Sequence, residues 1–142
     1  MELHGGGYSD QLSAALAGFT VEKAQPPGGR EYYGSLVEQF VALELLKQRT
    51  WSATPYDLYH FRDTDGLEVD LVIETWDGRL IAIEVKTTRT PVAKHSAGLT
   101  AFQECFFYRQ VTVVLLHAGD LSARSEKWLF ILPISLLRNI SR

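Results

Sequence analysis

The chain has 142 residues, the length of one ordinary domain; 46% of them are hydrophobic and 22% are charged. This balance excludes a disordered or fibrous protein, because such chains carry too little apolar surface to form a core. No apolar run reaches the ~18 residues of a membrane span, and no secretory leader opens the sequence. Fourteen basic and seventeen acidic residues give a net charge of −3, which excludes a polycationic nucleic-acid binder. A nuclease is not excluded, since bound metal ions supply local positive charge.

Cysteine usage bounds the environment of the protein. The single cysteine, Cys105, excludes an internal disulfide, and no Cys/His set has the spacing of a zinc site. We therefore expect a reduced, cytoplasmic setting and no membrane partner.

The N-terminal quarter of the chain is weakly patterned. Residues 1–33 predict an arm or remnant segment, with one short amphipathic helix from Tyr8 to Gly18 and a Pro-Gly loop at residues 25–29. The pattern sharpens from Gly34, so we expect the domain itself to span residues 34–142.

Regular elements follow in a recognisable order. Ser35 with Glu38 three residues later has the form of a capping box, and apolar residues repeat after it at a 3.6-residue period, which predicts a helix over about 34–49. The strand and helix patterns beyond it are strands at 58–62, 68–75 and 79–88, a helix at 94–108, and strands at 111–116 and 128–132. The order α-β-β-β-α-β-β predicts an α/β fold with a central mixed sheet flanked by helices.

Charged residues interrupt two of these apolar strands. Alternation puts the even positions of residues 68–74 on one face, Asp70 included, and the apolar Val69, Leu71 and Ile73 on the other. In the next strand Glu84 and Lys86 share a face by the same rule. Ionised groups in such strands need a partner or a metal. For any one of them a structural salt bridge is the simpler interpretation, but the combination is more specific.

The turn between the two strands decides whether their carboxylates meet. A two-residue turn at Asp77-Gly78 would pair Asp70 with Val85 and set charged faces opposite apolar ones. A three-residue loop with a left-handed Gly78 in a G1 bulge instead places Asp70 opposite Glu84, and Glu68 opposite Lys86. We predict the bulged turn.

This arrangement has the composition of a metal-dependent hydrolytic site. Carboxylates of Asp70 and Glu84 on adjacent strands can hold Mg²⁺, or Mn²⁺, through oxygen ligands, with the backbone carbonyl of Val85 as a third ligand. Lys86, one pleat period from Glu84, can orient a water molecule or offset charge on a phosphate. These are the groups that phosphodiester hydrolysis requires.

The same residues resemble a known superfamily. Asp70 followed by Glu84-Val85-Lys86, in this order of elements, resembles the PD-(D/E)xK nucleases, which have the restriction-endonuclease-like fold with an αβββαβ core. Gly34 to Glu38 resembles the glycine and acidic-residue motif of archaeal Holliday junction resolvases. A longer resemblance is to the uncharacterised nuclease-like domain at the C-terminus of many prokaryotic AAA-type ATPases. It rests on blocks at residues 34–45, 59–62, 66–72 and 80–86, and on a similar leading segment at 10–18.

The resemblance implies roles for residues of the first helix. By motif position, Glu38 faces the site and contacts the metal through water. The helical wheel sets Glu44 among apolar residues, so we expect a cation or backbone donors to hold it, with Arg62 the best candidate. The sequence departs from the family in having no phosphate-binding Gly-x4-Gly-Lys loop, which predicts a stand-alone or truncated C-terminal domain.

Three functions remain open at this point. The first is a Mg²⁺-dependent nuclease acting on nucleic acid, with DNA favoured over RNA. The second is a catalytically silent nucleic-acid-binding or regulatory module, with an ATPase as a partner in trans. The third is a protein-interaction domain that merely inherits the acidic cluster. Intact Asp70, Glu84 and Lys86 favour the first over the third, while the net negative charge favours the second over a vigorous free-standing enzyme. A homodimer is left open.

Overall fold

A computed structural model describes residues 2–5, 27–125 and 128–137, with side chains from residue 34 onward. The helix predicted at residues 8–18 lies outside the described residues. Among those described, the elements are β1 (Glu2–Gly5), α1 (Pro27–Arg49), β2 (Tyr56–Arg62), β3 (Glu68–Thr75), β4 (Leu80–Val85), a 3₁₀ turn (Ala93–Ser96), α2 (Ala97–Cys105), β5 (Val111–His117), β6 (Ala123–Ser125) and β7 (Leu129–Pro133).

The strands form one mixed sheet with helices on both faces, as the sequence predicts. Seven strands lie in the order β1-β2-β3-β4-β5-β7-β6. Neighbours from β1 to β4 are antiparallel, β4, β5 and β7 are parallel, and β6 returns antiparallel to β7. One hydrophobic cluster packs α2 against the sheet through Leu99 and Phe102, and a second packs α1 against the other face through Val41 and Leu45.

The first helix begins earlier than its capping pattern predicts. It starts at Pro27, so Ser35 lies inside the helix and is not its cap. The Ser35 hydroxyl instead accepts a hydrogen bond from Gln39 Nε2 at 3.3 Å, one turn further on. Proline has a fixed φ and no N–H, and both properties suit the first position of a helix. The loop predicted at residues 25–29 is therefore wrong for residues 27–29, which are helical, while residues 25 and 26 lie outside the described residues.

Two strands were not predicted, and the other boundaries shift slightly. Strands β1 and β6 have four and three residues, too few for a hydrophobic period to show. Strand β4 ends at Val85, three residues before the predicted end, and α2 is shorter than predicted at both ends. The prediction of the core order β-β-β-α-β after the first helix is confirmed.

The β3–β4 hairpin has the predicted register. Leu71 pairs with Ile83, and the ladder continues to the turn. Thr75 donates its N–H to Arg79 O at 3.0 Å and accepts one from Gly78 N at 2.9 Å. Gly78 has φ +90°, the left-handed conformation that a glycine adopts without a steric penalty. The bulged three-residue loop is therefore confirmed.

A second irregularity, on the other side of β3, was not predicted. Tyr59 of β2 pairs with Val72, but Phe61 pairs with Val69, so the register shifts by one residue between them. One residue of β2, His60, therefore faces two residues of β3, Asp70 and Leu71. This is a β-bulge, which leaves an extra residue unpaired and redirects its side chain.

The bulge corrects the predicted faces of β3. Val69 packs with Val72 in the cluster on the α2 side of the sheet, whereas Leu71 and Ile73 pack on the α1 side. Val69 therefore does not share a face with Leu71, as strict alternation predicted. The strand changes the face to which its odd-numbered residues point at Asp70, so the alternation of the strand does not determine the direction of the Asp70 side chain.

Candidate metal centre

The candidate site lies where β3 and β4 separate, at the end of the hairpin away from its turn. The backbone ladder stops at Leu71 and Ile83, one residue before the carboxylates. In place of the next backbone bond, Asp70 Oδ2 accepts the N–H of Val85 at 2.8 Å. The carboxylate thus lies in the gap between the two strands and is held by one of them.

The backbone of Val85 faces this gap. Leu80 and Lys86 donate their N–H groups to Gln110 and Leu116 of the β5 side, at 2.9 and 2.8 Å. Because hydrogen-bonding direction alternates along a strand, the peptide groups of Val85 face β3 instead. The Val85 carbonyl, which the sequence analysis predicted as a metal ligand, therefore faces β3 and lies on the same side of β4 as Asp70.

Glu84 shares the gap with Asp70. Burial, then the nearby charge of Asp70 and a hydrogen bond with it, raise the pKa of Glu84 to about 9. The two carboxylates whose meeting the hairpin register predicted are thus in contact. Simple alternation along the strands does not bring them together: the bulge in β3 and the separation of β3 from β4 do.

Glu38 of helix α1 interacts electrostatically with both of these carboxylates. Burial in the first place, and then the charges of Asp70 and Glu68, raise the pKa of Glu38 to about 7. Lys86 opposes these effects at both Glu38 and Glu84, but it does not cancel them. Three carboxylates and one ammonium group from three elements therefore interact at one place.

This donor set suits a divalent cation. After burial, the charge of Asp70 is the next largest cause of the raised pKa values of Glu38 and Glu84, and a bound cation would offset that charge. Within the described residues, no three His, Cys, Asp or Glu side chains are close enough to form a complete metal cage. Two carboxylates and a carbonyl, with water as the remaining ligands, fit Mg²⁺, which usually keeps several waters. Glu38 is then placed to contact the cation through water.

Helix α2 forms one wall of the site. A side chain added at Gly98, in the first turn of α2, would begin 3.7 Å from Glu84 Oε2 and 3.6 Å from the carbonyl oxygen of Glu68. The glycine therefore leaves the space beside Glu84 open. A bulky residue there would fill the space in front of the carboxylate pair.

The raised pKa values predict how stability depends on pH. Both carboxyl groups ionise near 4.5 when unfolded, but at about 7 (Glu38) and about 9 (Glu84) in the folded protein. Between these values the folded state binds more protons, so the free energy of unfolding falls as pH rises from about 4.5 to about 9. We expect the Tm of metal-free protein to fall across this range, and Glu84→Gln to flatten the slope. Thermal unfolding in EDTA at several pH values tests this; a Tm that rises would contradict it.

Two supporting residues are not where the sequence placed them. A cation does hold Glu44, as expected, but it is Lys47 of the same helix and not Arg62: the Glu44 side chain, 13% exposed, accepts from Lys47 Nζ at 3.2 Å. Arg62 pairs instead with Glu68, its cross-strand neighbour in the β2–β3 ladder. The predicted pairing of Glu68 with Lys86 is absent from the ladder, which has already ended. A helical wheel gives the direction of a side chain but does not identify its nearest cation. For Glu44 that cation is Lys47, three residues further along the same helix.

One contributor was missed by the sequence analysis. No Cys/His set in the sequence has the spacing of a zinc site, and nothing in the pattern singles out His60. In the structure its Nδ1 lies 3.3 Å from the carbonyl oxygen of Asp70, across the bulge. The sequence gives no sign of this bulge, because its extra residue, Asp70, fits the alternation expected of a regular strand.

The fold and site define a mixed α/β domain with an acidic, lysine-containing centre at the open end of its central hairpin. The sequence profile of DUF4143, a domain of unknown function, matches residues 33–137. The chain therefore belongs to the DUF4143 family. No curated protein matches it.

A solved structure has a similar fold. It is a chain of a Thermococcus gammatolerans complex described as a refined half-complex from a tetradecameric assembly of McrB AAA+ hexamers with bound McrC. The TM-score is 0.50 at 16% identity, over 70% of this chain and 27% of that one. The present chain thus spans about a quarter of that neighbour. No helix in the described part of this chain is long and apolar enough to cross a membrane.

Proposed function

We propose that this domain is a Mg²⁺- or Mn²⁺-dependent nuclease of the PD-(D/E)xK type that hydrolyses phosphodiester bonds in nucleic acid, with DNA as the favoured substrate. The observation that carries the proposal is the contact of Asp70 with Glu84 in the gap between β3 and β4. Glu38 and Lys86 adjoin the same gap, so all four residues of the superfamily pattern interact there.

Each residue has a distinct task in this mechanism. A bound divalent cation supplies Lewis acidity toward a phosphate oxygen and toward water. Asp70 and Glu84 would hold that cation, with the Val85 carbonyl on the same side of the gap. The Lys86 ammonium stabilises negative charge that develops on the phosphate during attack. Glu38, whose pKa lies near neutral pH before a cation enters, holds or releases a proton at its carboxylate oxygens.

Metal binding is the direct test. Calorimetric titration with Mg²⁺ and Mn²⁺ should show binding that Asp70→Asn and Glu84→Gln each weaken at least tenfold, because one carboxylate localises Mg²⁺ poorly. Binding should release protons, since Glu84 is protonated at neutral pH without a cation, so the measured enthalpy should vary with the ionisation enthalpy of the buffer. Asp57→Asn and Glu104→Gln, at carboxylates outside the site, are the matched controls.

Cleavage is tested with the same proteins. Single-stranded, duplex and branched DNA, and RNA, are incubated with each variant in Mg²⁺ and in Mn²⁺. Activity that survives Asp70→Asn would come from a contaminant. Metal binding without cleavage of any substrate would reject the free-standing enzyme.

A second function is favoured by the fold comparison. The similar chain belongs to an assembly that contains AAA+ hexamers, so this domain could be a silent nucleic-acid-binding or regulatory module that acts with an ATPase in trans. Absence of both metal binding and cleavage, with retained affinity for nucleic acid, would select this alternative. Sedimentation of the purified domain would show whether it forms a homodimer.

A further inference from the structure

The bulge beside Asp70 creates a hydrogen-bonding problem that one side chain solves. In a regular ladder the carbonyl of Asp70 would find a partner on a neighbouring strand, but the extra residue of a bulge is left out of the pairing. A half-buried carbonyl without a donor is costly. His60, the β2 residue opposite the bulge, has its Nδ1 3.3 Å from that oxygen. A carbonyl can only accept, so Nδ1 carries the hydrogen and donates it.

Asp70 is therefore held at both ends by different strands. His60 of β2 binds its backbone carbonyl, and the Val85 N–H of β4 binds its carboxylate. We propose that His60 is a positioning residue: by holding the bulge, it directs the Asp70 carboxylate toward Val85 and Glu84. The expected effect on metal affinity rests on the proposed function, whereas the expected effect on the orientation of the Asp70 side chain does not.

The geometry of histidine makes the idea testable by substitution. Asparagine places an amide nitrogen close to the position of Nδ1, whereas glutamine places one close to the position of Nε2. Leucine fills a similar volume with no donor. If His60 acts through the Nδ1 hydrogen bond, asparagine should restore its effect while glutamine and leucine should not. If His60 only fills space, the three variants should rank by volume and polarity instead.

The experiment compares His60→Asn, His60→Gln and His60→Leu with the wild type and with Asp57→Asn, an exposed control on the same strand. The first measurement is hydrogen exchange of the Val85 amide by NMR in metal-free protein. We expect exchange at least about tenfold faster in His60→Leu and His60→Gln than in His60→Asn, because a misdirected Asp70 no longer protects that amide. The second is Mn²⁺ affinity, which should fall roughly tenfold or more in the same two variants, the usual effect of losing a partner behind a ligand.

The outcomes separate this inference from the proposed function. Wild-type protein that binds no metal would reject the proposed function, and Val85 exchange would still decide the role of His60. Unchanged Val85 exchange in His60→Leu would overturn the inference, as would equal impairment of His60→Asn and His60→Leu. Thermal unfolding of each variant identifies any that fail to fold, and His60→Asn and His60→Gln then give the decisive comparison.

Discussion

Replacing Lys86 by alanine is expected to abolish cleavage while leaving metal binding nearly intact. Lys86 acts on Glu38 and Glu84 through its charge and is not one of the oxygen ligands. Its removal takes away one repulsion toward an entering cation, but it also lets the carboxylate pKa values rise, and these two effects on affinity oppose each other. The rate of hydrolysis should fall by about 100-fold or more, because a charge placed at the reacting phosphate is lost.

The measurement pairs calorimetric Mn²⁺ titration with the rate of cleavage of whichever substrate the wild type cuts. Lys94→Ala, at an exposed lysine beyond the site, is the control and should change neither. Lys86→Arg keeps the charge but replaces a compact ammonium group with a planar fork, so we expect partial activity at best. Loss of metal binding in Lys86→Ala would show that the lysine organises the carboxylates and would contradict the separation of roles.

Replacing Gly119 by alanine is expected to produce a large loss of stability. A Cβ at this position would lie 2.1 Å from the carbonyl oxygen of Arg89, which is backbone and cannot rotate away. The two segments are also joined by a hydrogen bond from Ala118 N to Thr88 O at 2.9 Å. Relieving the clash requires movement of the chain that follows Lys86. We expect a cost of about 3 kcal/mol, at the upper end of ordinary overpacking.

Urea unfolding of Gly119→Ala measures that cost against Gly34→Ala. Gly34 lies inside α1, and a Cβ there meets nothing within 4 Å. Alanine is favoured over glycine in a helix interior, so the control should gain up to about 1 kcal/mol. If Gly119→Ala is as stable as the wild type, the segment that follows Lys86 has moved to make room for the added Cβ. This movement should then reduce the rate of cleavage. A neutral result in both stability and activity would contradict the close approach.

A buried histidine supports the same turn from inside. His117 is fully buried; its Nδ1 accepts the N–H of Gly119 at 3.0 Å, and its Nε2 lies 2.7 Å from the carbonyl oxygen of Leu121. A carbonyl accepts, so Nε2 carries the hydrogen and the ring is neutral. The end of β5 is therefore rigidly built, which explains why the neighbouring segment after Lys86 has little room to adjust.

The sequence by itself determined the hairpin and much of the candidate site. Asp77-Gly78 allows two loop lengths, and the charge pattern of the two strands was enough to choose between them, because only the three-residue loop leaves Asp70 opposite Glu84 and Leu71 opposite Ile83. Glu38 was assigned to the site from a motif resemblance, and the structure places it in electrostatic contact with Asp70. These conclusions depend on residues close together in the chain or on a spacing that a family shares.

Only the tertiary structure decided how Asp70 is aimed. The sequence around Asp70 gives no sign of a bulge, since a strand covered on both faces carries apolar residues at even and odd positions alike. β3 pairs with β2 on one side and with β4 on the other, and the shift in register beside Asp70 is in its pairing with β2, a strand that is read separately in the sequence. The contact of His60 with the Asp70 carbonyl and the close approach of Gly119 to Arg89 likewise join segments that are far apart in the chain. Each depends on distances between segments that no local pattern encodes.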